Sequence, residues 1–362
     1  MRSNRVRRIA SRTGWGLFAL ALIGCTETLR VGDRNGASQG GSGGQTEEPD
    51  ASAHDGGHSG GGPKNRCEYR ERLSFQRGQA MLLVLLQRST SMLSPFDGET
   101  RLGAAHRALL AATVGVHAAI GLVDFPAINT DCGARLLVPP VDLAREGTLQ
   151  RAFRCDLPFQ YNRCFETSDM VPTAEALDEV ERFFRSFIDG SIERRVLLIT
   201  DGDPTCDRES NDPCARAIAK TSALMALHHA KTQLIGIGGA AERTTCLGQI
   251  ALAGGTATPD GVGFPVAHNF SELQSTVKRQ IEELDEKTCT LKVNAGFTDP
   301  ATLDVTIQGR SVRYDPTGRV GWNVENDGLL RFVGEDCRHL RDARTQDVSV
   351  YRCCSAEDAC SR

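Results

Sequence analysis

Long apolar runs are missing from this sequence. Gly14–Gly24 (GWGLFALALIG) is apolar over 11 residues, about half of the roughly 20 that a bilayer-spanning helix needs. A basic excess is missing too. The 42 Lys and Arg stand against 46 Asp and Glu, for a formal net charge of −4, which gives no electrostatic reason to bind nucleic acid. The 13 cysteines include no Cys-x-x-Cys pair, and no His pair lies near them, so the spacing of a zinc site is absent. The eight His show no nucleophile–base spacing, and the turn at Ser89 and Ser91 is not a Gly-x-Ser-x-Gly elbow. The expectation is a protein that is not an enzyme.

What is present begins with a basic, then apolar, N-terminus. Arg2, Arg5, Arg7, Arg8 and Arg12 precede the apolar stretch, the arrangement of an export signal over residues 1–24. It ends in Leu22-Ile23-Gly24-Cys25, which resembles the lipobox of bacterial lipoproteins. That resemblance implies cleavage before Cys25 and lipid on its thiol. Each buried CH₂ of such a lipid contributes about 0.8 kcal/mol. Losing five Arg and no acid takes the charge from −4 to −9, so membrane attachment rests on lipid rather than on anionic headgroups. Thr26 is not Asp, which favours the outer membrane. Residues 25–66 are rich in Gly, Ser, Ala, Asp and Glu and read as a flexible tether.

Twelve cysteines follow Cys25, an even number in a chain expected to meet an oxidising compartment, so up to six disulfides are expected. The short loop between Cys206 and Cys214 makes them the one local pair expected.

From Cys67 to Lys287, apolar strands alternate with amphipathic helices. Met81–Leu86, Ala118–Phe125, Val196–Thr200 and Gln233–Ile237 read as strands. Leu102–Val114, Ala174–Ile188, a segment running to Ala230, and Ser271–Glu286 read as helices. This predicts an α/β fold, a doubly wound and mostly parallel sheet whose binding sites lie beyond the carboxyl ends of the strands. Residues 288–362 change to period-two alternation, with Leu303, Val305 and Ile307 and a turn at Gln308-Gly309. They carry five of the twelve cysteines and read as a small disulfide-rich β module.

Three separated segments carry a more specific resemblance. They are Gln87-Arg88-Ser89-Thr90-Ser91-Met92, Pro172-Thr173-Ala174-Glu175-Ala176-Leu177 and Thr200-Asp201-Gly202-Asp203-Pro204. Supporting matches are Gly121-Leu122-Val123 with Phe125-Pro126, Ile235-Gly236-Ile237-Gly238, and Ala253-Gly254-Gly255-Thr256. In order and position, they resemble the loops of a von Willebrand factor A (vWA) domain over roughly residues 78–287. The lipobox, Gly-rich tether and cysteine-bearing tail together resemble in layout the predicted envelope lipoproteins of the myxobacteria.

The resemblance implies a metal-ion-dependent adhesion site. Ser89, Ser91, Thr173 and Asp201 would hold Mg²⁺ or Mn²⁺, and an acidic side chain of a protein partner would complete the shell. Each residue also has a local alternative: Ser89, Ser91 and Thr173 as helix caps, and Asp201 as a turn former with Gly202. Gln87 stands where the family usually has Asp. The site is one negative charge short, and cation affinity follows ligand charge. Retained binding, weakened by Gln87 or rescued by Asp203, and lost binding both stay open.

The function expected is an exported, envelope-anchored binding or adhesion lipoprotein. The alternative is a docking or assembly subunit of an envelope enzyme or export complex.

Overall fold

A computed structural model describes residues 69–354 except 128–129, 131, 143–147, 154–167, 187–191, 258–262, 295–298 and 326–327. The expected signal peptide, Cys25 and tether lie outside the described residues.

The chain opens with β1 (Tyr69–Leu73) and β2 (Phe75–Arg77) and enters the central strand β3 (Gln79–Gln87). A short hairpin of β4 (Pro95–Phe96) and β5 (Glu99–Thr100) leads into α1 (Arg101–Ala112). Next come β6 (Ala119–Phe125), β7 (Arg135–Asp142), α2 (Thr148–Phe153), α3 (Thr173–Arg185), β8 (Ile192–Thr200), α4 (Pro213–His228), β9 (Lys231–Ile237) and α5 (Thr245–Ala253). The two-residue strand β10 (Val266–Ala267) and α6 (Phe270–Asp285) follow.

One six-stranded sheet runs β10-β9-β8-β3-β6-β7. All its pairings are parallel except that of β7 with β6. The unbroken apolar run of β3 follows from burial on both faces. Leu82, Val84 and Leu86 pack with Leu102, Ala105 and Leu109 of α1 and with Val277 and Ile281 of α6. Met81, Leu83 and Leu85 point the other way, toward Leu177, Val180 and Phe184 of α3 and Leu247 and Ile250 of α5. The α/β expectation is met. The antiparallel edge β7 escapes the strand pattern read from the sequence, since it contains Pro139 and Pro140, which lack the N–H that an interior strand needs.

The C-terminal residues supply β11 (Thr290–Val293), β12 (Leu303–Ile307), β13 (Arg310–Val312), β14 (Trp322–Val324), β15 (Leu329–Phe332), α7 (Gly334–Asp342) and β16 (Val348–Cys354). They form two antiparallel four-stranded sheets, β1-β16-β12-β13 and β14-β15-β11-β2. The expected turn at Gln308-Gly309 joins β12 to β13 with φ of 52° and 77°, the conformation of a tight hairpin. The two sheets share a core of Leu291, Val305, Trp322, Leu330 and Val350. Trp322 Nε1 donates to Val312 O at 3.0 Å.

Two features differ from expectation. First, β1 and β2, read from the sequence as the start of the larger domain, belong to these C-terminal sheets: Tyr69 pairs with Cys354 and Arg77 with Leu291. Residues 65–362 form one compact unit. Second, Cys206 and Cys214 do not bond to each other. Cys206 bonds to Cys132 and Cys214 to Cys246. Asp212 caps α4 by accepting from Ala215 N–H, with Pro213 at its start. This sets Cys214 against the core shared with α5, where Cys246 lies. Cys289 bonds to Cys337, tying the start of β11 to α7.

Candidate site at the carboxyl edge of the sheet

The last residue of β3 is Gln87, and the residue after β8 is Asp201. Because the two strands are parallel neighbours with Leu86 opposite Ile199, both residues emerge at the same edge. Both are buried, as is Ser89, while Ser91 is exposed. The sequence therefore nominated three residues, Ser89, Ser91 and Asp201, that the structure brings together around Gln87.

Their hydrogen bonds show what each does. Gln87 Nε2 donates to Asp201 Oδ1 at 2.7 Å and to Ser89 Oγ. Gln87 Oε1 accepts from the Asp201 backbone N–H at 3.1 Å and from the Thr200 hydroxyl. That backbone donor fixes which way the amide faces, because the flipped amide would set N–H against N–H. Ser91 Oγ donates to Asp201 Oδ1 at 2.8 Å and lies 2.7 Å from Ser89 Oγ.

The helix-cap alternatives do not hold for Ser89 or Thr173. Ser89 precedes the short 3₁₀ turn Thr90–Leu93 without a side-chain cap bond. The cap position of α3 is Pro172, not Thr173, and it has no side-chain cap bond either. Thr173 is buried, and its Oγ1 has no hydrogen-bond partner among the described residues.

One residue of the site was missed in the sequence. Arg101, the first residue of α1, places Nη1 2.7 Å from Asp201 Oδ2. Its side chain is 18% exposed and that of Asp201 is 2% exposed. A cation in the first turn opposes the helix dipole, and Asp201 offsets that opposition. Gly238 makes room for the guanidinium: its φ is +76°, and a Cβ there would lie 3.1 Å from Arg101 Nη2. The left-handed backbone at Gly238 favours glycine, and the missing Cβ eases this approach.

A hard divalent cation needs converging oxygen lone pairs. Here the Gln87 amide hydrogens and the Arg101 guanidinium are directed at the oxygens that would have to supply them. Both Asp201 oxygens are already engaged, one by Gln87 and Ser91 and the other by Arg101. This arrangement does not fit a bound Mg²⁺ or Mn²⁺.

Asp203, the acid expected to compensate for Gln87, is engaged elsewhere, and so are the other acids of its loop. Asp203 bonds the Thr244 side chain and the Leu247 backbone at the start of α5, and burial pushes its carboxyl up. Asp207 and Glu209 hold Arg216. Arg88 turns away as well, pairing with Asp124 of β6 at 2.9 Å.

Arg216 anchors the loop that follows Asp201. It bridges Glu175 at 3.2 Å and Asp178 at 2.7 Å on α3 to Asp207 and to Glu209 at 2.8 Å. Although burial works against its charge, these carboxylates hold its guanidinium above the usual range. The Cys132–Cys206 bond ties the same loop to the segment after β6. The loop that carries the site is thus fixed by an ion cluster and a disulfide.

No family model matches the chain, and no curated protein matches it. Solved structures do. The chain is similar to the conserved hypothetical protein BatB from Bacteroides thetaiotaomicron at 17% identity and a TM-score of 0.41, over 57% of this chain and 98% of that one. It is similar to manganese-loaded TRAP protein from Plasmodium vivax at 16% identity and a TM-score of 0.40, over 59% and 76%. It is similar to the vWF domain of the type V pili tip protein Mfa5 from Porphyromonas gingivalis at 10% identity and a TM-score of 0.39, over 62% and 99%. These likenesses are partial; the chain itself carries a mostly parallel six-stranded α/β sheet, joined to a disulfide-bearing β module that its first two strands help to build.

Proposed function

We propose that this is an exported binding protein of the cell envelope, lipid-anchored through Cys25, with the outer membrane favoured. Its carboxyl sheet edge, around Gln87, Ser89, Ser91 and Asp201, docks a protein partner. One observation carries the reading. The turn after β3 is tied to the end of β8 by a closed hydrogen-bond network at the edge where α/β sheets place their sites. An edge ordered before binding loses less entropy when a partner arrives. The serine hydroxyls there meet an amide and a carboxylate, not an imidazole, which supports a binder over a hydrolase.

The experiment is affinity capture from intact envelopes with the natural chain and with Thr90→Arg, which sets charge and bulk on an exposed position beside the network. A partner held by the natural chain and lost in the variant supports the reading. Capture that is indifferent to the substitution would count against this edge. A stoichiometric enzyme or export complex would favour the docking-subunit alternative. The anchor is tested separately: Cys25→Ser should release the protein from membranes, and continued retention without acyl label would contradict lipidation.

A further inference from the structure

We infer that Arg101 is the resident cation of this site. Its guanidinium neutralises Asp201 in place of a divalent metal, and Gln87 completes the exchange by presenting amide hydrogens where the family's Asp would present lone pairs. This deepens the binding-edge reading, resting on it only for location, and it is testable without any partner.

Three independent features converge on it. The Arg101–Asp201 pair is nearly enclosed at 2.7 Å, and a carboxylate removed from water needs a countercharge. Replacing the usual Asp by Gln87 removes one negative charge, so one guanidinium, rather than a divalent ion, balances the single remaining carboxylate. Last, the path of the guanidinium is built into the backbone. Thr100 caps α1 by accepting from Gly103 N–H at 3.0 Å, which fixes where the helix starts. The Arg101 N–H donates to Ser94 O at 3.1 Å. Gly238 opens the space beside the guanidinium.

The two substitutions act together. Gln87→Asp alone restores a carboxylate, but Arg101 still occupies Asp201. A metal site requires both changes. This separates Arg101 from a residue that merely stabilises the fold, because a structural role would not alter metal affinity.

The test is Mn²⁺ titration of the purified full chain, read as loss of the free-ion electron paramagnetic resonance signal, with folding followed by circular dichroism. The natural chain and Gln87→Asp should show little binding. Gln87→Asp/Arg101→Gln should bind at least about tenfold more tightly than Gln87→Asp, since removing the guanidinium frees Asp201 and lifts its repulsion of the ion. Gln87→Asp/Arg101→Lys keeps the positive charge and should stay blind to Mn²⁺. Stoichiometric Mn²⁺ binding by the natural chain overturns the inference with no variant needed. So does a Gln87→Asp chain that binds as tightly as the Gln double variant, or a folded Gln double variant that binds nothing. Should the Gln variant fail to fold, tight binding by the Lys double variant would equally overturn it. These readouts stand whether or not an envelope partner is found, so failure of the binding-edge reading and failure of this inference are distinguishable.

Discussion

Arg101 Nη1 meets Asp201 Oδ2 at 2.7 Å, joining the first turn of α1 to the end of β8 across 100 positions of sequence. The contact makes a helix start and a strand end into one charge-balanced unit. It explains how a buried Asp is tolerated at the edge of an apolar sheet.

A double-mutant cycle measures this pair. Arg101→Gln and Asp201→Asn, singly and together, should show a coupling of about 1–3 kcal/mol in urea unfolding with chelator present. Removing Arg101 alone should cost more than removing both, because it leaves a buried carboxylate without a countercharge. Strict additivity would mean that the contact contributes nothing.

Arg216→Met should be the more damaging change. It leaves Glu175 and Asp207 without their shared cation in a largely covered cluster, while Asp178 keeps Lys220. A loss of about 3 kcal/mol or more is expected at neutral pH. The check is denaturant melting of natural and variant chains at pH 7. A loss under about 1 kcal/mol at pH 7 would show that the cluster is merely a solvated surface network.

His106 sets an acid limb on stability. It lies on α1, stacked on Phe153 with ring centroids 4.3 Å apart. Burial first, and then the Arg88 charge, push its pKa down to about 3 from the ordinary 6.5. Between those values the unfolded chain binds a proton that the folded chain refuses. The neutral ring's contribution is therefore fully present above about pH 6.5 and is lost as pH falls toward 3. One such group changes stability by at most about 1.4 kcal/mol per pH unit. His106→Phe should flatten the pH 6 to pH 4 part of the stability curve, as read by melting temperature. A variant with an unchanged slope there would refute this assignment.

Much of the fold was legible because burial writes a local pattern. β3, β6, β8 and β9 are near-continuous apolar runs, and α1, α3 and α6 carry helical spacing, so each could be read from its own residues. What was hidden depends on distant partners. The pairing of Tyr69 with Cys354 leaves no local trace, so residues 69–77 read as part of the larger domain. The bonds from Cys206 to Cys132 and from Cys214 to Cys246 depend on loop paths that spacing does not encode. At the site, the order and spacing of their segments nominated Ser89, Ser91 and Asp201, which hydrogen bonds bring together. Arg101 was not nominated, because it lies outside every motif segment. Two faint signals pointed to it: a basic residue in a helix's first turn, and a carboxylate position taken by Gln87.

The most direct measurement of the central claim is the melting temperature of the natural full chain in EDTA against excess Mn²⁺. Charge balance by Arg101 predicts no difference. A divalent site held at about 100 times its Kd would add about 2.7 kcal/mol, a rise of roughly 4 °C for a chain of this size. A rise of that order in Mn²⁺, reversed by EDTA, would contradict the account.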